Sequence, residues 1–186
     1  MKTLSRLALS LLSIIPLHAY ANNLAVDIGK DTFSAEFATS NVSNDTTFTF
    51  GAISAKNDHK LYHFKALVTG QLESNNNVTI SLGGKVYYAD LASPSDNLSA
   101  LSLGGDVEYS LPQNSKVKLS VSLYIAPEAT ISDDFDLLTD ATLTASYQVL
   151  KNGSVYINYR NLKVSHESGG NVYINDGVNI GLNLTF

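Results

Sequence analysis

Three of the four histidines, His59, His63 and His166, lie beyond the first twenty residues, and any acid–base chemistry would start from them. Asp58-His59 and Ser165-His166-Glu167 set acids and a hydroxyl beside an imidazole. A nucleophile and its base must share one face, whereas adjacent residues of an extended strand point to opposite faces. Both stretches therefore read as polar rim residues, not assembled triads. Asp133, Asp134, Asp136 and Asp140 make an acidic run able to gather calcium or to bridge lipopolysaccharide through divalent ions. Its spacing is not that of a calcium loop, and a solvated acidic loop is the simpler reading. Gly83-Gly84 and Gly104-Gly105 sit inside alternating apolar runs and not before a helix, so no phosphate cradle is present. No cofactor is expected.

The elements that would position such groups begin after a targeting segment. Lys2 and Arg6 precede an apolar run from Leu7 to Leu17, and Ala19-Tyr20-Ala21 offers the small–x–small pattern of signal-peptide cleavage. The apolar run is too short for a membrane helix, which needs roughly 20 residues. Residues 1–21 are read as a signal peptide and 22–186 as one domain of 186 − 21 = 165 residues. Losing two cations leaves 10 basic against 17 acidic residues, a formal charge of −7. That balance argues against nucleic acid and against a polybasic lipid contact. Without cysteine, the exported fold must rest on sheet closure and packing.

No stretch of the remaining chain keeps an apolar period near 3.6 residues. Period-two alternation recurs in ten runs, at 24–30, 32–39, 46–56, 60–73, 77–91, 98–111, 116–129, 137–150, 154–166 and 172–186. In the run to Leu150, Ala141, Leu143, Ala145, Tyr147 and Val149 share one face, and Thr142, Thr144, Ser146 and Gln148 the other. The polar faces carry Ser, Thr, Asn and Gly with few charges; at 16% charged residues the chain falls short of the ~25% of soluble domains. Lipid outside and a polar lumen inside account for both faces. The fold expected is all-β: a closed antiparallel transmembrane β-barrel of ten strands, or of eight if the tight Lys30-Asp31 hairpin does not form. Short even-numbered links (Ser40–Asp45, Ser74–Asn76, Pro112–Ser115, Lys151–Gly153) suit the periplasmic side, and the longer Ala92–Asn97 and Thr130–Asp136 the outside.

Extending the faces inward places Asp27, Glu36, Lys65, Lys85, Asp106, Glu108, Lys118 and Arg160 in the lumen, four acids and four bases. An isolated charge in a narrow lumen costs several kcal/mol, so a matched set suggests a cross-linked, weakly conducting interior. The related runs Ser81–Tyr88 and Ser102–Tyr109 should pair with Lys85 opposite Gly104 and Asp106 opposite Gly83. Lys118 should fall opposite Glu108 across the Pro112–Ser115 turn.

Several motifs then combine in order: the Gly29-Lys30 turn, Gly83-Gly84-Lys85-Val86-Tyr87-Tyr88, Tyr124-Ile125-Ala126-Pro127-Glu128, Tyr159-Arg160 and the closing stretch from Asp176 to Phe186. Together they resemble the YfaZ family of bacterial outer-membrane proteins across the whole mature chain. The resemblance implies a barrel and no settled activity. Asn179, Gly181, Leu184 and Phe186 also match the pattern read by the outer-membrane assembly machinery, in which a terminal strand adds to an open sheet edge. The expected product is a non-enzymatic, porin-like barrel of the Gram-negative outer membrane, contacting lipid and lipopolysaccharide. The alternatives are a barrel enzyme at the outer rim or a soluble exported ligand-binding β-protein.

Overall fold

Alternation gives every strand one apolar and one polar face, and closing the sheet on itself shields both without leaving an open edge. The computed structural model, which describes residues 20–41, 45–56, 59–91, 97–132, 135–166 and 169–186, has this form. Ten strands form a closed barrel in chain order. They are β1 (Tyr20–Gly29), β2 (Thr32–Asn41), β3 (Thr46–Ala55), β4 (Lys60–Leu72), β5 (Asn75–Asp90), β6 (Asn97–Ser110), β7 (Val117–Pro127), β8 (Phe135–Leu150), β9 (Gly153–His166) and β10 (Asn171–Thr185). The first hairpin is real, with β1 and β2 paired from Tyr20↔Asn41 to Ile28↔Phe33, which settles ten strands over eight. Closure runs from Asn23↔Thr185 to Gly29↔Asn179. Beyond it, Asn22 N–H donates to the Phe186 carbonyl at 3.0 Å and Phe186 N–H to the Asn22 carbonyl at 2.9 Å.

The apolar faces point outward. Leu103 is 72% exposed, Leu82 65% and Ile180 64%, and such residues recur on all ten strands except the polar-rimmed ends. A belt of this extent would be costly in water and is what a lipid-immersed wall requires. The start of β1 and the C-terminal Phe186 lie at one end of the barrel, the end at which β2 and β3, β4 and β5, β6 and β7, and β8 and β9 connect.

Two registers differ from the sequence expectation by two residues, a shift that preserves faces. Lys85 stands opposite Ser102 and Gly83 opposite Gly104. The Ser102 hydroxyl donates to the Lys85 carbonyl at 2.9 Å, and Ala89 falls beside Leu98, so packing above the glycines sets the register. Likewise Glu108 pairs with Ser120, and Lys118 with Ser110. The long lysine stem still reaches Glu108 diagonally, at 2.7 Å.

The facing glycines mark close backbone approach. A Cβ on Gly104 would run into the Leu123 carbonyl and crowd the Tyr124 ring, whereas one on Gly84 would meet nothing nearer than 3.4 Å. Gly104→Ala is therefore expected to lose about 1–3 kcal/mol by overpacking. Gly84→Ala should stay within about 0.5 kcal/mol of the parent. Urea unfolding of the refolded barrel in detergent compares them; equal losses would refute the close-approach argument.

Candidate functional site

The lumen face changes character along each strand. Towards the end away from the termini it is apolar. Ile53 of β3, Leu61 of β4, Tyr87 and Ala89 of β5, Leu98 and Ala100 of β6, Ala126 of β7, Leu138 of β8, Leu162 and Val164 of β9 and Ile174 of β10 form one buried cluster. Members on eight strands can meet only in the middle of the barrel. Leu98, Leu138, Leu162 and Val164 have no measurable exposure, so no open space adjoins them, and β1 and β2 contribute no member. A bulge between Tyr173 and Asn175 turns both Ile174 and Asn175 inward and helps complete the layer.

Beneath it lies a layer of charge. Asp140 Oδ2 accepts from Lys85 Nζ at 2.8 Å and from the Tyr87 hydroxyl at 3.0 Å, and Arg160 Nε stands 3.5 Å from its other oxygen. Arg160 also reaches Glu36 at 3.2 Å, and His63 Nε2 lies 3.2 Å from the same Glu36 oxygen. The Lys85 ammonium sits over the Tyr87 and Tyr124 rings, 4.9 and 5.4 Å from their centroids. One step lower, Lys65 pairs with Asp106 at 3.1 Å, and the Tyr124 hydroxyl donates to Asp106 at 2.9 Å.

Below the charges a cavity of about 710 Å³ opens at the end that carries the termini, its mouth bordered by Ser115, Lys116, Lys151 and Asn152 of the turns. Its walls are hydroxyls and amides, among them Thr49, Ser81, Ser122, Thr144 and Asn183. All eight of Asp27, Glu36, Lys65, Lys85, Asp106, Glu108, Lys118 and Arg160 line it. So does Asp140, which sequence reasoning had grouped with a loop. Counting inward from Thr142 by twos would have found it. Asp140 therefore belongs to no acidic run, while Asp58, Asp133, Asp134 and Glu167 lie outside the described residues.

The histidines are dispersed. His63 is buried in the charged layer, and the His166 ring packs on Phe135 at the far rim, 4.3 Å between centroids. Among the described residues no group of three or more His, Cys, Asp or Glu side chains is placed to hold a metal ion. Asn179 is buried in the lumen and donates to Asn158 at 2.7 Å while accepting from Thr32 at 2.9 Å. Gly181 lies under the Tyr156 ring, and Leu184 and Phe186 face outward.

The family model described as YfaZ precursor matches residues 1–186, the entire chain. The chain belongs to the YfaZ family. No curated protein matches the sequence. Among solved structures this YfaZ member resembles the KdgM porin, with a TM-score of 0.50 and 12% identity over 89% of this chain and 99% of that one. The same values hold for the KdgM porin in complex with disordered oligogalacturonate. The outer membrane channel DcaP of Acinetobacter baumannii gives a TM-score of 0.45 at 9% identity, over 92% of this chain and 60% of that one. With the KdgM porin, at 12% identity, the shared property is the barrel fold alone.

Proposed function

We propose that this YfaZ member is an outer-membrane barrel closed to bulk ion flow, serving as a structural barrel or at most a narrow, weakly conducting pore. The observation that carries the reading is the buried apolar layer spanning the lumen, seated on an ion-paired layer. Water and ions crossing it would have to strip their hydration among leucines and valines. The apolar exterior and the exportable N-terminus support placement in the outer membrane, with the termini and the open cavity towards the periplasm. Lipid and lipopolysaccharide are then the partners of the outer wall. The barrel assembly machinery is the partner of β10, whose Leu184 and Phe186 present an outward apolar edge. The interior roles of Asn179 and Gly181 suit the same strand after closure. The non-enzymatic reading rests on the scattered histidines and on Glu36 being ion-paired to Arg160.

A second reading draws on the KdgM porin, solved with oligogalacturonate: a passage for acidic oligosaccharide. Planar-bilayer recordings separate the two. The wild-type barrel is expected to give no large steady current steps; reproducible open levels, reduced by added acidic oligosaccharide, would reject the closed barrel.

A further inference from the structure

The cavity that opens beside the termini has five carboxylates along its lining, and four of them have a cation supplied by the chain. Glu36 has Arg160 at 3.2 Å, Asp106 has Lys65 at 3.1 Å, Asp140 has Lys85 at 2.8 Å and Glu108 has Lys118 at 2.7 Å. The fifth, Asp27 on β1, makes no ion pair within 4 Å among the described residues, and the nearby Arg160 reaches it only through its longer-range field. It is 8% exposed, and among the described residues its one hydrogen bond comes from the Tyr156 hydroxyl, 2.9 Å from Oδ2. Arg160, whose charge lies nearby, makes its close contacts with Glu36 and Asp140. A buried carboxylate with no cation in contact is costly, so a cation from solution is the natural complement.

The neighbourhood indicates which kind. Asn183 stands opposite Ala25, one inward position below Asp27, and Asn23 one position lower again, on the β1–β10 wall. The side-chain oxygens of Asn23 and Asn183 are buried and have no hydrogen-bond donor among the described residues. The wall thus carries a descending row of acceptors: carboxylate, amide oxygen, amide oxygen. A hard divalent ion asks for six or more oxygens and usually several carboxylates, which this wall lacks. A primary ammonium has three N–H donors to distribute over such a row.

We propose that Asp27, with the Asn183 side chain, forms a binding site for a primary-ammonium solute entering through the open end of the cavity. Lys116 and Lys151 at the mouth repel an entering cation, a barrier that slows its entry and weakens as ionic strength rises. Binding is independent of conductance: the site stands on the β1–β10 wall whether or not the apolar layer leaks.

The test is a titration of the folded, ¹⁵N-labelled protein in detergent micelles, read by amide shifts on β1 and β10. The probes are n-butylammonium, tetramethylammonium, sodium and magnesium chlorides. Expected are saturable shifts around Asp27 and Asn183 with n-butylammonium alone, weakened at least tenfold in Asp27→Asn. The proposal is overturned if the wild type shows no saturable shifts, if tetramethylammonium or the metal salts reproduce them, or if folded Asp27→Asn binds as the parent does. The wild-type comparison of n-butylammonium with tetramethylammonium decides by itself should Asp27→Asn not fold.

Discussion

Replacing Leu61 and Leu162 together with serine is expected to give steady currents in planar bilayers where the parent gives none. The two residues are almost entirely buried, on β4 and β9, five places apart in the ten-strand ring and so on opposite walls. Truncating both removes apolar volume from the middle of the layer and adds two hydroxyls. A polar void adjoining a wet cavity fills with water, whereas an apolar one stays dry. The cavity beneath already reaches the charged layer, so the new water needs to cross only the leucine level. Each change carries about 2–5 kcal/mol of destabilisation if it behaves like other large-to-small core substitutions. A heat-shifted band on a gel therefore has to accompany the recording as proof of folding. Leu82→Ser, on the outward face, is the control: it disturbs the lipid contact and should leave the barrel silent. A folded double variant that remains silent would move the seal to the ion-paired layer and reject the apolar closure.

The separation of wall from lumen was legible in the sequence because alternation has a period of two and needs no knowledge of partners. Leu143 with Ala145 outward and Thr142 with Thr144 inward follow from counting alone. That rule stops at composition. It treats the polar face as one surface, and so could not show that the inward series on β5 passes from Thr79 and Ser81 through Lys85 to Ala89. Inward apolar residues such as Leu98 and Leu162 look like ordinary strand ends until ten strands bring them to one level. Registers were wrong by two residues for the same physical reason. A slip of two keeps every face correct, and only three-dimensional contacts, such as Ser102 on the Lys85 carbonyl or Gly83 against Gly104, select one pairing. Asp140 was missed because it adjoins a loop rich in aspartate, and its inclusion changes the arithmetic of the lumen. Four acids against four bases would need no outside cation. With Asp140 taking Lys85, five acids face four inner bases, the mouth lysines Lys116 and Lys151 standing apart, and pairing by distance leaves Asp27 unmatched.

That pairing makes a second large effect testable. Lys85→Met is expected to lower stability by about 3–5 kcal/mol, because it leaves the Asp140 carboxylate buried with Arg160 as its remaining cation. Both partners of the pair are almost fully enclosed, so solvent screening offers little relief. The Tyr87 hydroxyl stays on Asp140 and moderates the loss towards the lower bound. Asp140→Leu alone should be harmful for the reciprocal reason: it strands the Lys85 ammonium between two tyrosine rings and leaves Arg160 with Glu36. The double variant Lys85→Met, Asp140→Leu removes both charges and restores apolar volume continuous with Leu98 and Leu138 above. Buried pairs replaced in this way are often neutral or gain about 1–4 kcal/mol relative to the pair. Urea unfolding of the three variants should therefore be strongly non-additive, the double recovering at least about 1 kcal/mol over the sum of the singles. Additive losses would mean that Lys85 and Asp140 act separately, each held by its other neighbours, and that the charged layer is a set of independent contacts instead of a latch beneath the apolar closure.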